Sequence, residues 1–164
     1  MKHTQSVQNA GQLGVSPEPP VLGIIEMDPE EMNSLLARSG YGHLGCARFD
    51  KPYVVPIHYL YAPPDIYLYT TRGMKTELLD ANSQVCLQVE EVRDSYHWMS
   101  VIVSAYANRL TDDTERQQAL NLIQPGKPEL GPAMAHTHFG ELMRSSTEVI
   151  YKIRVHHMTG RKTK

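Results

Sequence analysis

The segment Thr70-Thr71-Arg72-Gly73-Met74-Lys75 gathers adjacent hydroxyls, a glycine and two cations into one loop. Side-chain O–H groups, backbone N–H groups and positive charge can converge there on a single anion, so the segment is a candidate phosphate cradle. It follows an alternating, strand-like run and precedes a strand start at Trp98-Met99-Ser100-Val101. Other reactive residue types make weaker patterns. His136-Thr137-His138 and His156-His157 have no acidic or cysteine partner at ligand spacing, and a metal site is not expected. Cys46 and Cys86 fall in apolar strand runs, where free cysteine behaves as a small buried hydrophobe. No Ser/His/Asp or paired-carboxylate constellation stands out by spacing.

The elements that must position the cradle fit in a chain of 164 residues. At this length folding buries about two-thirds of the unfolded surface, so one domain needs no disulfide or metal staple. Sixteen basic and eighteen acidic residues leave a net charge near −2, without long runs of either sign. That pattern argues against a nucleic-acid or polybasic membrane surface and favours a small molecule or a second subunit as partner. Two cysteines and no recognisable leader point to a cytoplasmic, reduced protein, and the apolar runs are too short to span a bilayer.

Residues 1–22 are rich in Gln, Ser, Gly and Pro and read as a mobile tail, leaving 23–164 as one domain. Asp28-Pro29-Glu30-Glu31 supplies an N-cap, a first-turn proline and two acids, followed by Met32, Leu35 and Leu36 on one helical face, with Gly40 as the stop. From Tyr41 the period becomes two. A run through Phe49, a turn at Asp50-Lys51-Pro52 and a run from Tyr53 to Tyr61 predict a hairpin, with Pro56 at an edge or bulge. Ile66 to Thr70 forms the next strand, and Met74 to Ala81 one or two helical turns. Gln84 to Glu91 and Trp98 to Leu110 alternate as half-buried antiparallel strands. Thr111 to Thr114 caps a helix carrying Ala119, Leu120, Leu122 and Ile123, and a Pro/Gly-rich loop runs from Pro125 to Pro132. Val149, Tyr151, Ile153 and Val155 mark the last strand. About six strands with short helices fit a small, mainly β barrel.

The ordered blocks Gly42-His43-Leu44-Gly45-Cys46-Ala47, Pro52 to Tyr59, Ile66 to Thr70, Gly73-Met74-Lys75, Trp98 to Val101 and Met158-Thr159-Gly160-Arg161 resemble the pyridoxamine 5′-phosphate oxidase-related, flavin-nucleotide-binding family, nearest its nitroimidazole-reductase-like branch. The resemblance covers roughly residues 28 to 161. It implies a homodimeric split β-barrel of antiparallel strands binding FMN at the subunit interface. By this resemblance Val55, Pro56, Ile57, His58 and Tyr59 lie along the isoalloxazine ring. Tyr69, Thr70, Thr71, Gly73 and Lys75 hold the FMN phosphate, with Lys75 as charge partner. Trp98, Ser100 and Val101 close over the flavin from the second subunit, so the site is incomplete in a monomer. Two positions depart from the family pattern: His58 replaces a smaller polar residue, and Met74 replaces a basic one, leaving Arg72 as the second cation. No counterpart appears of the Arg/His-rich end with which true pyridoxamine phosphate oxidases hold substrate.

The resemblance therefore implies an FMN-dependent oxidoreductase that passes a hydride or electrons to a small electron-poor acceptor, with the cofactor carrying the difficult chemistry. A nicotinamide nucleotide or a reductase would supply electrons, although no Gly-x-Gly-x-x-Gly fold is present to bind the former. His58 and His43 are the candidate catalytic proton donors, since imidazole titrates near neutrality. A non-catalytic flavin-binding or redox-sensing protein and a haem-binding or haem-handling split barrel are the alternative readings, because fold does not fix function.

Overall fold

The structure, a computed structural model, describes residues 23–123 and 148–164. The expected N-terminal tail, the Pro125–Pro132 loop and His136-Thr137-His138 lie outside the described residues. Within the described residues the chain forms, in order, β1 (Ile24–Glu26), α1 (Pro29–Ser39), β2 (Tyr41–Arg48), β3 (Lys51–His58), β4 (Leu60–Ala62), β5 (Asp65–Thr71), α2 (Met74–Ala81), β6 (Gln84–Asp94), β7 (His97–Arg109), α3 (Asp113–Ile123) and β8 (Glu148–Thr163).

Helix α1 follows from local chemistry. Asp28 accepts a hydrogen bond from the Glu31 N–H at 2.8 Å, while the Glu31 carboxylate accepts from the Asp28 N–H at 3.2 Å. This reciprocal pair satisfies two donors that a helix start would otherwise leave unpaired. Gly40 closes the helix at φ +60°, a left-handed conformation that a side chain would oppose. Asp28→Ala should cost about 1 kcal/mol of stability, measured as a lower urea midpoint with unchanged slope.

All strands join one antiparallel sheet in the order β3-β2-β6-β7-β8-β5-β4, and β1 adds to β8. The chain passes from edge strand β3 to edge strand β4 through Tyr59 alone, so the sheet curls strongly without closing. This is a split barrel with eight described strands rather than about six. Tyr59 explains why the expected run from Tyr53 to Tyr61 divides in two. It is buried, its hydroxyl donates to the Leu36 carbonyl at 2.9 Å, and its N–H donates to the Gly40 carbonyl at 2.9 Å. The N–H bond extends the β2–β3 register by one pair onto Gly40, the cap of α1, and beyond it the chain changes partner and pairs with β5 as β4.

Two further expectations shift. The β2–β3 turn falls at Phe49 and Asp50, both at positive φ, so Lys51 and Pro52 already belong to β3. A two-residue turn of this kind matches the twist of the strands it joins. Cys86 is exposed, unlike buried Cys46, because Val85, Leu87 and Val89 take the inward positions of β6. Pro56 does lie on an edge strand, opposite His43.

The main core fills the concave side of the sheet. Leu35 and Leu36 of α1 pack there with Leu44, Leu87, Val89, Val101, Val103 and Tyr151. A smaller cluster beneath α3 joins Leu110, Ala119, Ile123 and Ile150, with Tyr67 and Tyr69 packed against it. Leu122 of the same helix points away from this cluster and is 46% exposed.

Candidate functional site

The cradle forms where β5 gives way to α2. Leu68 and Thr70 face the main core, while Tyr67 and Tyr69 face the α3 cluster, as strand alternation requires. Burial, then the Glu148 carboxylate, raises the Tyr69 hydroxyl above the usual tyrosine range. Thr70 is buried, with its hydroxyl 3.5 Å from the Thr71 carbonyl, whereas Thr71, Arg72 and Gly73 are exposed.

Gly73 sits immediately before α2, and the Thr76 hydroxyl folds back on it. That hydroxyl accepts from the Gly73 N–H at 2.9 Å and donates to the Gly73 carbonyl at 2.7 Å. The Gly73 N–H is therefore already engaged, and the donors left for an anion are those of the first turn, at Met74, Lys75 and Thr76. A Cβ added at Gly73 would meet no atom within 4 Å, so the space beside the loop is open.

Lys75 is half-buried, and among the described residues no carboxylate pairs with it or with Arg72. Burial pushes the Lys75 ammonium below its ordinary value, an effect partly offset by the neighbouring Cys46 thiol. A half-buried cation without an acidic partner is costly unless an anion joins it. Lys75, Arg72, the first-turn N–H groups of α2 and the open space beside Gly73 thus fit a phosphate.

The expected ring-side residues form a separate group on β3. Ile57 and Tyr59 are buried, Val55 packs against the core, and Pro56 and His58 face outward. His43 and His58 flank Tyr41, with ring centroids 5.7 and 5.2 Å from it. His43 lies three residues from Cys46 on β2, about 10 Å along the strand.

Trp98, Ser100 and Val101 are not brought to the cradle within this chain. Arg109, at the far end of β7, is the residue beside α2, where it pairs with Asp80 at 2.8 Å. Trp98 begins the same strand, roughly 35 Å away along it. Its backbone N–H donates to Thr163 Oγ1 at 3.1 Å, and it borders a hollow of about 200 Å³ with Glu91, Arg93, His97, Met99, Lys162 and Thr163. Val101 is fully buried, so only its backbone could reach a ligand. Thr76 was not singled out from the sequence. Its position three residues after Gly73, the spacing of a capping pair, was the available signal. Asp80, Arg109 and Tyr151 carried no such signal, because only the sheet topology brings them beside α2.

An open antiparallel split barrel with a cationic loop and short helix at one end defines the class of protein. The chain belongs to the pyridoxamine 5′-phosphate oxidase family, whose model matches residues 28–162. An uncharacterized protein of Rhizobium meliloti is 27% identical over 139 residues, covering 82% of this chain and 92% of that one. A FAD-binding protein of Mesorhizobium loti superposes with a TM-score of 0.68 at 24% identity, covering 88% of this chain and 99% of its own. A candidate 5-nitroimidazole antibiotic resistance protein of Bacteroides thetaiotaomicron gives 0.67 at 21% identity, covering 88% and 90%. Among the described residues no helix is long and apolar enough to cross a membrane.

Proposed function

We propose that the protein is a homodimeric FMN-binding oxidoreductase that delivers reducing equivalents to a small electron-poor acceptor. The observation carrying this reading is the half-buried, acid-free Lys75 at the start of α2, beside open space and Arg72. FMN ends in a phosphate dianion that this donor set suits. Bound FMN would supply two-electron redox chemistry. The chain's own work is to hold the phosphate at α2, lay the Val55–Tyr59 backbone along the ring, and present His43 and His58 as proton donors on the outward face.

The outward face of the sheet supports a second copy as partner. The outward positions of β7 are Trp98, Ser100, Ile102, Ser104, Tyr106 and Asn108, an uncharged row, and Tyr41 of β2 and Val54 of β3 are further exposed apolar residues of the same sheet. A partner laid antiparallel on this face would bring the partner's Trp98 and the partner's Ser100 toward the cradle that one protomer leaves incomplete. Oxidation of pyridoxamine-type substrates is not the proposed activity. A cytoplasmic location and a nicotinamide nucleotide or reductase as donor complete the proposal.

The test is the visible spectrum after FMN addition and gel filtration, read with sedimentation at micromolar concentration. A dimer retaining flavin, reducible by a nicotinamide nucleotide and reoxidised by a nitroaromatic, is expected. A monomer, or a protein that retains no flavin, would sink the reading. FAD is the second cofactor to titrate, because the Mesorhizobium loti protein of the same fold is named as FAD-binding.

A further inference from the structure

We propose that Tyr151, Asp80 and Arg109 form a latch that positions the first turn of α2 and thereby sets the affinity and selectivity of the phosphate subsite, although none of the three belongs to the loop that holds the phosphate. This inference rests on the phosphate reading of that loop and deepens it.

Helix α2 has eight residues, too few to be stable by itself, so outside contacts must hold it in place. Leu79 anchors its apolar side in the core. Its polar attachment comes from Tyr151 on β8, which is 0% exposed and must satisfy its hydroxyl internally. That hydroxyl donates to Asp80 Oδ1 at 2.6 Å and lies 3.3 Å from the Thr76 carbonyl. Arg109 of β7 donates to the other Asp80 oxygen at 2.8 Å, which orients the carboxylate.

The same residue Thr76 closes the Gly73 loop with its side chain. A continuous polar chain therefore runs from Arg109 through Asp80, Tyr151 and Thr76 to Gly73, two residues before Lys75. Removing the Tyr151 hydroxyl leaves the core volume nearly unchanged but deletes its bond to Asp80 Oδ1 and its contact with the Thr76 carbonyl, so that Asp80 is held to the sheet through Arg109 and the first turn of α2 loses its direct tie to β8. The first-turn N–H groups would then lose their fixed aim at one point, and phosphate binding depends on that preorganisation. The latch acts through other groups and touches no phosphate, so these are positioning residues.

Titration of FMN and riboflavin against Tyr151→Phe and Asp80→Asn, followed by flavin fluorescence, distinguishes this role from simple stabilisation. The two ligands share ring and ribityl chain and differ only in the phosphate. We expect each variant to bind riboflavin as the wild type does and FMN about tenfold more weakly, a change of about 1.4 kcal/mol. Combined with Lys75→Ala, Tyr151→Phe should add little to the loss of FMN preference, because both act on one contact. Equal weakening of both ligands, or an unchanged FMN-to-riboflavin ratio in both variants, would overturn the latch while leaving the phosphate site standing. A wild type without preference for FMN over riboflavin would overturn the phosphate reading and the latch together.

Discussion

Lys75→Ala should lower FMN affinity on the order of 100-fold, since a charge-assisted contact contributes about 1.5–3 kcal/mol and this one is partly shielded from water. Riboflavin affinity should barely move, and Lys75→Arg should recover part of the loss. Flavin retained through gel filtration and fluorescence titration both report the effect. A variant that keeps wild-type FMN affinity would show that the phosphate sits elsewhere.

The pH dependence follows from the same lysine. Its folded-state value is pushed down by burial from 10.5, so the free protein is penalised for carrying the charge at neutral pH. The penalty is fully present below the folded value and is relieved as pH rises from there toward 10.5, because the unfolded chain then holds the proton that the folded chain has released. Stability of the free protein should therefore gain with pH in that alkaline window. Bound phosphate favours the charged form, so FMN affinity should fall across the same window. Lys75→Ala should flatten both trends, which pH-resolved denaturation and titration would reveal.

Gly42→Ala should be the most damaging small substitution in the sheet. Gly42 is buried in β2, and an added Cβ would lie 2.5 Å from the Gln88 carbonyl oxygen, 3.0 Å from Val89 Cγ2 and 3.1 Å from Leu87 Cδ1. The first of these is backbone in a paired strand, so relief requires moving the β2–β6 ladder. The expected cost is about 3 kcal/mol, at the upper end for overpacking, with a fall in Tm of about 10 °C. Gly45→Ala, three residues along, is the control. Its nearest neighbour would be the Cys86 carbonyl at 3.5 Å, an ordinary contact, and its Tm should stay close to wild type. Similar losses in the two variants would assign the effect to glycine content rather than to close approach.

The elements that could be read from sequence are those fixed by local chemistry. Asp28, Pro29, Glu31 and Gly40 delimit α1 because caps act over three or four residues, and the periods of β6 and β7 follow from inward Val85, Leu87, Val101 and Val103. The break at Tyr59 was not legible, because it marks a change of strand partner from β2 to β5 that only the tertiary fold supplies. Cys86 could have been placed outward from the alternation of its own neighbours, and hydropathy of the run alone misplaced it. For the candidate site, the contiguous loop from Thr70 to Lys75 was legible as a unit. The separation of Trp98 from it was not, since it depends on where the two ends of β7 fall in a sheet whose strand order does not follow the sequence.

An open sheet leaves two edges, and those of this barrel are blunt. On β3, Pro52 and Pro56 lack the N–H groups that an incoming strand would need, while β4 has only three residues and runs into Pro63-Pro64. Unpaired strand edges are the usual template for chain-to-chain aggregation, and proline and shortness are two ways of disarming them. The barrel can therefore remain split without inviting fibre-like growth along its ladder.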